Sequence, residues 1–209
     1  MKSQLLIPYV YHFLEDLNLE DFDKMYDYAV KRDVPSVSRG VGALLSFFVK
    51  LRKPESVLEL GCGIGVAAKF MLSSWNCKYT GVDNNAERLD VAKGFLSEYN
   101  NVTLIRDKVE NFLLNTTEIY DFVFVDSIKK DYEKIWYLLK PHLKNGSIVI
   151  FDDFFLYGYL FQEEAETPLK YREGVRLIKR FIKNIKSEMG YNVLFIPVEN
   201  GVMVVSYEC

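Results

Sequence analysis

The sequence has few of the residues on which disulfide-rich and thiolate-bound metal folds depend. Its 209 residues include three cysteines and two histidines, and an odd set of three cysteines does not make a disulfide framework. This usage is typical of a reducing compartment. No apolar run approaches the roughly 18 residues of a membrane helix, and Pro8 and His12 interrupt the apolar start, which makes a poor signal peptide. We therefore expect a cytoplasmic protein without a membrane partner.

An excess of one charge is also missing. The chain has 26 basic and 29 acidic residues, a net charge of −3, so it has no overall bias toward polyanions. Hydrophobic residues make up 49% of the chain, with 15 phenylalanines and 14 tyrosines, which excludes disorder, collagen and coiled coil as the main state. Because no repeat or linker interrupts it, we predict a single domain over residues 1–209.

The chain divides into an N-terminal helical extension, residues 1–52, and a core, residues 56–209. In the extension, apolar residues recur at three- and four-residue steps, Ser38 is placed to cap the second helix, and Pro54 ends it. In the core, strand-like runs alternate with helical patterns, which predicts parallel βαβ crossovers. These runs are SVLEL, CKYTGVD, NVTLIR, YDFVFVD and SIVIFDD.

The end of the chain follows a different pattern. Two strand-like runs, YNVLFIPV and GVMVVSYE, are joined by Glu199, Asn200 and Gly201, and Asn-Gly is a strong hairpin signal. The predicted fold is therefore α/β, Rossmann-like and doubly wound, with a mostly parallel seven-stranded sheet that finishes in an antiparallel hairpin.

A glycine-rich turn, Gly61-Cys62-Gly63-Ile64-Gly65, directly follows the first predicted strand. Such a turn lets the backbone approach a ligand at a helix N-terminus, although an ordinary tight turn is the alternative. Asp83 ends the second strand, where a carboxylate can accept hydrogen bonds from ribose hydroxyls, or else cap the next helix. Asp107, at the end of the third strand, is a further acid on the same sheet edge, or else caps the helix that follows. Glu59 is unusual inside a buried strand unless its carboxylate has a partner.

Three further acids end the fourth and fifth strands: Asp126, Asp152 and Asp153. We expect them to converge on the edge of the sheet that carries the glycine turn, where they repel one another unless protonated, solvated or bridged by a cation. Hard cations such as Mg²⁺ prefer these oxygen ligands; the alternative is that the acids only end strands and cap helices. Lys129 can reach the same place, whereas its neighbour Lys130 is expected to point elsewhere.

These motifs resemble a known family. VLELGCGIG followed by GVD is similar to the cofactor motifs of class I S-adenosylmethionine-dependent methyltransferases. VPSVSRGVGALL, FVDSIKKDY and IVIFDDFFLYG resemble the metal-dependent O-methyltransferases. That group includes catechol and caffeoyl-CoA O-methyltransferases and short bacterial relatives, some of which methylate a hydroxyl on a tRNA wobble uridine.

The resemblance implies roles for individual residues. It places Gly61 and Gly63 along the methionine part of the cofactor. Asp83 would hold the ribose, and Asp107 would lie near the adenine. The full implied cofactor set is Glu59, Gly61, Gly63, Asp83, Asn84, Asp107 and Asp126. The implied metal ligands are Asp126, Asp152 and Asp153, the last standing where the family has asparagine. Lys129 would act as the general base, beside Asp126, if nearby positive charge or burial lowers its pKa. Ala67 stands where some relatives have a serine near the cofactor carboxylate.

The resulting expectation is an O-methyltransferase that uses S-adenosylmethionine and a divalent cation, which the resemblance implies to be Mg²⁺, and that forms a homodimer. The substrate stays open between a catechol-like small molecule and tRNA. A non-catalytic cofactor-binding protein is the alternative from another class, and a nicotinamide oxidoreductase is disfavoured by G-x-G-x-G and the hairpin. Two segments on the substrate side also stay open. The aromatic loop 154–161 is a pocket wall or packs at an interface, and the basic helix after it is a solvated face or an RNA-phosphate patch.

Overall fold

Two helices precede the sheet. The computed structural model describes residues 19–208, and the helical pattern predicted for residues 1–18 lies outside them. Helix α1 spans Leu19–Arg32 and α2 spans Arg39–Arg52. Ser38 caps α2 as predicted, since its Oγ accepts a hydrogen bond of 3.2 Å from the Val41 amide. Within residues 19–208, no helix is long and apolar enough to cross a membrane.

Seven strands then alternate with five helices in the described chain. In chain order these are β1 Ser56–Leu60, α3 Val66–Ser74, β2 Lys78–Asp83, α4 Ala86–Phe95, β3 Val102–Arg106, α5 Val109–Asn115, β4 Tyr120–Val125, α6 Tyr132–Leu139, β5 Leu143–Phe151, α7 Leu169–Ser187, β6 Tyr191–Ile196 and β7 Val202–Tyr207. Short 3₁₀ segments cover Lys129–Asp131, Lys140–His142 and Leu156–Phe161. Helix α6 ends at Leu139 and gives way to a 3₁₀ turn, because Pro141 has no amide hydrogen to continue the helix.

The strands form one sheet in the order β3-β2-β1-β4-β5-β7-β6. β1 to β5 pair in parallel, while β7 runs antiparallel to both β5 and β6. Apolar residues of α1 to α4 cover one face and those of α5 to α7 cover the other. The predicted seven-stranded, doubly wound sheet with a final antiparallel hairpin is confirmed. The parallel strands end at one edge, and this edge carries the candidate site.

The hairpin turn fixes the position of the loop after β5. The Gly201 amide donates to the Val198 carbonyl at 2.8 Å, and the amides of Phe154 and Phe155 donate to the carbonyls of Gly201 and Asn200. Gly201 has φ +81°, and a Cβ there would overlap the Phe155 ring, so glycine is required by both backbone and space. The turn therefore holds the residues after β5 against the sheet.

Asp121 in β4 holds the start of β1. Its carboxylate accepts hydrogen bonds from the amides of Glu55 and Ser56, both at 2.8 Å, and Lys144 lies 3.2 Å away. Burial raises the pKa of Asp121, but these hydrogen bonds outweigh burial and hold the pKa below its usual range.

We predict that Asp121→Ala lowers the free energy of unfolding by about 1–3 kcal/mol at pH 7, because two amides lose their acceptor. A carboxyl with a depressed pKa stabilises the fold above its ordinary pKa and loses this effect as pH falls through its folded value. The difference in the free energy of unfolding between wild type and variant should therefore narrow below about pH 4. Denaturant unfolding at several pH values measures this difference. Asp90→Ala is the control, because Asp90 is an exposed i,i+3 partner of Lys93. A stability difference between wild type and Asp121→Ala that does not change with pH would contradict this account of Asp121.

Candidate active site

The glycine turn is tied to the neighbouring strand ends. The amides of Gly61 and Cys62 both donate to the Val82 carbonyl, at 2.8 and 3.1 Å. Gly61, Gly63 and Gly65 have φ values of +96°, +52° and +87°, a region that favours glycine. A Cβ on Gly61 would overlap the backbone oxygen of Asp126, whereas a Cβ on Gly63 would meet no described atom within 4 Å. Glycine at position 61 therefore allows the ends of β1 and β4 to pack closely, whereas Gly63 borders open space.

Asp83 lies directly against this turn. Its Oδ2 accepts a hydrogen bond of 2.9 Å from the Gly63 amide, and its Oδ1 accepts one of 2.8 Å from the Asn85 amide. Helix α4 is capped by Asn85, whose side chain accepts from the Arg88 amide at 3.1 Å. Asn85 rather than Asp83 is thus the cap of α4, and Asn84 beside them is exposed.

Asp107 is engaged at the start of α5. Its carboxylate accepts hydrogen bonds from the Asn111 side chain at 2.8 and 2.7 Å and from the Lys108 amide at 2.8 Å. Its own amide donates to the Asp83 carbonyl at 3.1 Å, which places it at the same sheet edge. The adenine role that the resemblance implies for Asp107 stays a prediction.

Glu59 has the partner that its burial demands. Its side chain is 2% exposed, and its Oε2 accepts a hydrogen bond of 2.6 Å from the Tyr79 hydroxyl. Burial raises the pKa of Glu59, opposed by the Tyr79 hydrogen bond and reinforced by the charges of Asp126 and Asp83. Sequence reasoning did not find Tyr79, because a tyrosine in a predicted strand is indistinguishable from any other core residue.

The acids that end β4 and β5 converge around Lys129. The Lys129 Nζ lies 3.1 Å from Asp126 Oδ1 and 3.4 Å from Asp153 Oδ2. Asn200 in the hairpin turn donates from Nδ2 to Asp153 Oδ1 at 3.1 Å. Asn200 is a site residue that the sequence showed only as a turn residue, since the contact depends on the hairpin folding back. Lys130 points away and pairs with Glu173, as expected.

Three acids form what we call the acid cluster, Asp126, Asp152 and Asp153, and burial has the largest effect on the pKa of the first two. Burial raises the pKa of Asp126. For Asp152, burial together with the charges of Asp126 and Asp153 raises the pKa to about 7. Burial opposes the charged form of Lys129, but the Tyr132 phenol when ionised and the carboxylates of Asp126 and Asp153 outweigh it, so its pKa lies above the usual value. Lys129 is therefore held as a hydrogen-bond-donating ammonium in this arrangement, and the general-base role that the resemblance implies for it stays a prediction.

The acid cluster fits a hard cation in chemistry but is closed by Lys129 in this arrangement. Within residues 19–208, no three His, Cys, Asp or Glu side chains are arranged to hold a metal ion. Three carboxylates and one ammonium nevertheless leave an excess of negative charge at a buried edge when all are ionised. A divalent cation would have to displace Lys129 from at least one carboxylate.

The two described cysteines do not provide a nucleophile. Cys62 and Cys77 are free and buried. Burial raises the thiol pKa of Cys62 above its usual range and that of Cys77 to about 11. Both thiols are therefore protonated at neutral pH, and covalent cysteine chemistry has no support.

The aromatic loop after Asp153 divides into packed and exposed parts. Phe154 is fully buried, whereas Tyr157 and Phe161 are 61% and 70% exposed. A groove of about 330 Å³ runs between this loop, α7 and β6. It is lined by Phe155, Leu160, Phe161, Lys179, Ile182, Lys186 and Phe195. The groove is mostly apolar, and Lys179 and Lys186, two turns apart on one face of α7, border it.

The basic residues of α7 that follow Lys170 fall into two sets. The arginines have acceptors: Arg172 donates to the Thr167 carbonyl at 2.8 Å, Arg176 lies 3.8 Å from Glu164, and Arg180 donates from Nε to Glu133 at 2.7 Å. The lysine set has no ion pair with another described residue. It consists of Lys179, Lys183 and Lys186, which we call the lysine stripe.

Comparison with known proteins identifies the family. The model of the O-methyltransferase family matches residues 15–207. The chain belongs to the O-methyltransferase family. Similar curated proteins include the caffeoyl-CoA O-methyltransferase of Stellaria longipes, 24% identical over 172 residues, which covers 77% of this chain and 71% of that one.

Solved structures of the family share the fold. The SAH-bound methyltransferase PaMTH1 of Podospora anserina superposes with a TM-score of 0.84 at 18% identity and covers 100% of this chain and 97% of its own. The O-methyltransferase TomG of Streptomyces achromogenes, in complex with SAM, gives 0.79 at 20% identity and covers 91% and 90%. The predicted family and Rossmann-like fold are confirmed.

We predict a large loss of stability for alanine at Gly61 and a small loss for alanine at Gly63. Gly61→Ala should destabilise the protein by several kcal/mol, because its Cβ overlaps backbone at Asp126 that no rotamer change relieves. Gly63→Ala should cost only about 1–2 kcal/mol, the penalty of positive φ. Denaturant unfolding compares them, and equal losses would contradict the described turn.

Proposed function

We propose that this protein transfers a methyl group from S-adenosylmethionine to a hydroxyl group, with a divalent cation such as Mg²⁺ at the acid cluster. The observation that carries the proposal is the meeting of two features at one sheet edge. The glycine turn, held by Asp83, borders open space at Gly63, and its first residue lies against the backbone of Asp126, which belongs to the acid cluster.

The cofactor would bind along the glycine turn. Gly61 and Gly63 would line its methionine part with Glu59 behind them, Asp83 and Asn84 would hold the ribose, and Asp107 would lie near the adenine. Asp126 would border both cofactor and substrate. The SAM bound to TomG and the SAH bound to PaMTH1 support this choice of cofactor. The sulfonium of S-adenosylmethionine supplies an already electrophilic methyl group.

Asp126, Asp152 and Asp153 would hold the cation. When bound, it supplies Lewis acidity that favours the ionised form of a substrate hydroxyl. Asp153 brings a carboxylate where the resembled enzymes have asparagine, so it adds negative charge. Asn200 restores an amide beside it, through the hydrogen bond of 3.1 Å to Asp153.

The remaining chemistry is positioning by this chain. The buried edge orients the acceptor oxygen in line with the methyl group and excludes water, a contribution that needs no covalent intermediate. As an ammonium, Lys129 donates hydrogen bonds to the acceptor oxygen, and the proton of that oxygen passes to Lys129 only when Lys129 is neutral. It becomes a general base only where the charges of Asp126 and Asp153 are neutralised, because these carboxylates hold its pKa high.

The first substrate class is a catechol-like small molecule, whose adjacent oxygens suit an acidic cation site. A tRNA hydroxyl is the second, and the lysine stripe is the observation that favours it. Its members lie at positions i, i+4 and i+7 of α7, so they share one helix face, and Lys179 and Lys186 border an apolar groove with exposed aromatic rings. Lysines beside aromatic side chains suit single-stranded nucleic acid.

We also propose that the protein works in the cytoplasm as a homodimer. Its two described cysteines are unpaired, consistent with a reducing compartment. Phe47 and Leu51, 61% and 64% exposed on one face of α2, are suited to contact a second copy.

Labelled methyl transfer to a catechol panel and to total tRNA, with and without Mg²⁺, tests the proposal. Asp83→Ala should weaken S-adenosylmethionine binding at least about tenfold in calorimetry, because the ribose loses charge-assisted hydrogen bonds, while Asp90→Ala leaves it unchanged.

Binding of NADH without affinity for S-adenosylhomocysteine would refute the methyltransferase proposal. Cofactor binding without transfer to any acceptor would favour the non-catalytic alternative, and full activity after verified chelation would refute the cation.

The same assay separates the two substrate classes. If tRNA is the substrate, Lys179→Ala with Lys186→Ala should lower tRNA methylation and reduce its salt dependence. Lys93→Ala, an exposed lysine of α4, is the control. If the double lysine variant methylates tRNA as well as wild type does, the lysine stripe does not take part in substrate binding.

A further inference from the structure

A buried polar pair, Tyr79 and Glu59, lies beneath the glycine turn, and the function proposed above gives no role to Tyr79. The two side chains are 1% and 2% exposed, and the Tyr79 hydroxyl donates to Glu59 Oε2 at 2.6 Å. Among the hydrogen bonds of residues 19–208, this is the one made by the Glu59 carboxylate. Tyr79 therefore determines how that carboxylate is oriented.

The strand register makes room for the pair. Glu59 in β1 lies opposite Gly81 in β2, and Tyr79 lies two residues before Gly81 on the same face of the sheet. A Cβ on Gly81 would come within 2.8 Å of the Tyr79 hydroxyl oxygen and 3.0 Å of Cys62 Sγ. Glycine at position 81 thus leaves the space in which the hydroxyl reaches Glu59.

A purely structural role does not explain this arrangement well. Two apolar side chains of similar volume would fill the same space without the cost of burying a carboxyl group. Glu59 also stands two residues before Gly61, so any change in its position is passed directly to the turn. It lies close enough to Asp83 and Asp126 for their charges to raise its pKa, which places it within the electrostatic field of the candidate site.

We propose that Tyr79 is a positioning residue for cofactor binding, which acts by holding the Glu59 carboxylate in one orientation beneath the glycine turn. The proposal rests on the proposed function, since it assumes that S-adenosylmethionine binds at this turn. Removal of the hydroxyl takes from the buried Glu59 carboxylate the hydrogen-bond donor that it has among residues 19–208. The carboxylate then takes up a proton or changes its orientation, and the glycine turn loses the support of the Glu59 side chain.

Calorimetric binding of S-adenosylmethionine and S-adenosylhomocysteine to Tyr79→Phe tests the proposal. We expect both affinities to fall about three- to tenfold, the effect of one lost hydrogen bond to an ionisable group. Tyr120→Phe is the matched control. Tyr120 is a buried tyrosine at the start of β4 whose hydroxyl contacts Thr80 and Thr116, at the end of the strand away from the site. This variant should lose stability and keep its cofactor affinity.

Two further variants keep the test decisive if Tyr79→Phe folds poorly. Gly81→Ala retains the hydroxyl but forces it off Glu59, so it should weaken cofactor binding as Tyr79→Phe does. In a Glu59→Gln background, Tyr79→Phe should have little additional effect on affinity, because Tyr79 acts through the carboxylate.

Wild-type affinity in both Tyr79→Phe and Gly81→Ala would overturn the inference, as would equal losses from Tyr79→Phe with and without the Glu59 carboxylate. An equal loss of affinity in Tyr120→Phe would also overturn it, since general destabilisation would then explain the effect. Failure of the wild-type protein to bind either cofactor form would instead overturn the proposed function itself.

Discussion

The candidate site depends on one ammonium group held among three buried or partly buried carboxylates. Lys129 contacts Asp126 and Asp153 at 3.1 and 3.4 Å, and Asp152 stands beside them with a pKa raised to about 7. A single positive charge does not balance this set when all three acids are ionised. This edge of the sheet therefore favours the binding of a proton, a cation or a cationic ligand.

The sheet order brings this site together from distant parts of the chain. β1 lies between β2 and β4, so the glycine turn, Asp83 and Asp126 end side by side. The contact is tight enough that Gly61 has no room for a side chain against the Asp126 backbone. The antiparallel hairpin then returns Asn200 to Asp153, which adds an amide from the last part of the described chain.

The sequence was sufficient for features that depend on local pattern. Alternating strands and helices, the Asn-Gly hairpin, the cap at Ser38 and the convergence of strand-end acids are all confirmed, because each follows from spacing or from the shared edge of a parallel sheet. Contacts that depend on tertiary packing were out of reach, as for Tyr79 on Glu59 and Asn200 on Asp153. The division of α7 into paired arginines and the lysine stripe was likewise hidden, since it depends on which acids face the helix.

The central claim, that the acid cluster requires positive charge, is tested most directly by the thermal stability of Lys129→Ala and Lys130→Ala with and without Mg²⁺. A raised pKa at Asp152 means that its ionisation destabilises the fold as pH rises through about 7. Lys129→Ala should therefore be less stable than wild type at pH 8, regain stability toward pH 6, and regain it at pH 8 when Mg²⁺ is added. Lys130→Ala should behave as wild type. A Lys129→Ala protein as stable as wild type at pH 8, or one that responds to neither acid nor Mg²⁺, would contradict the account.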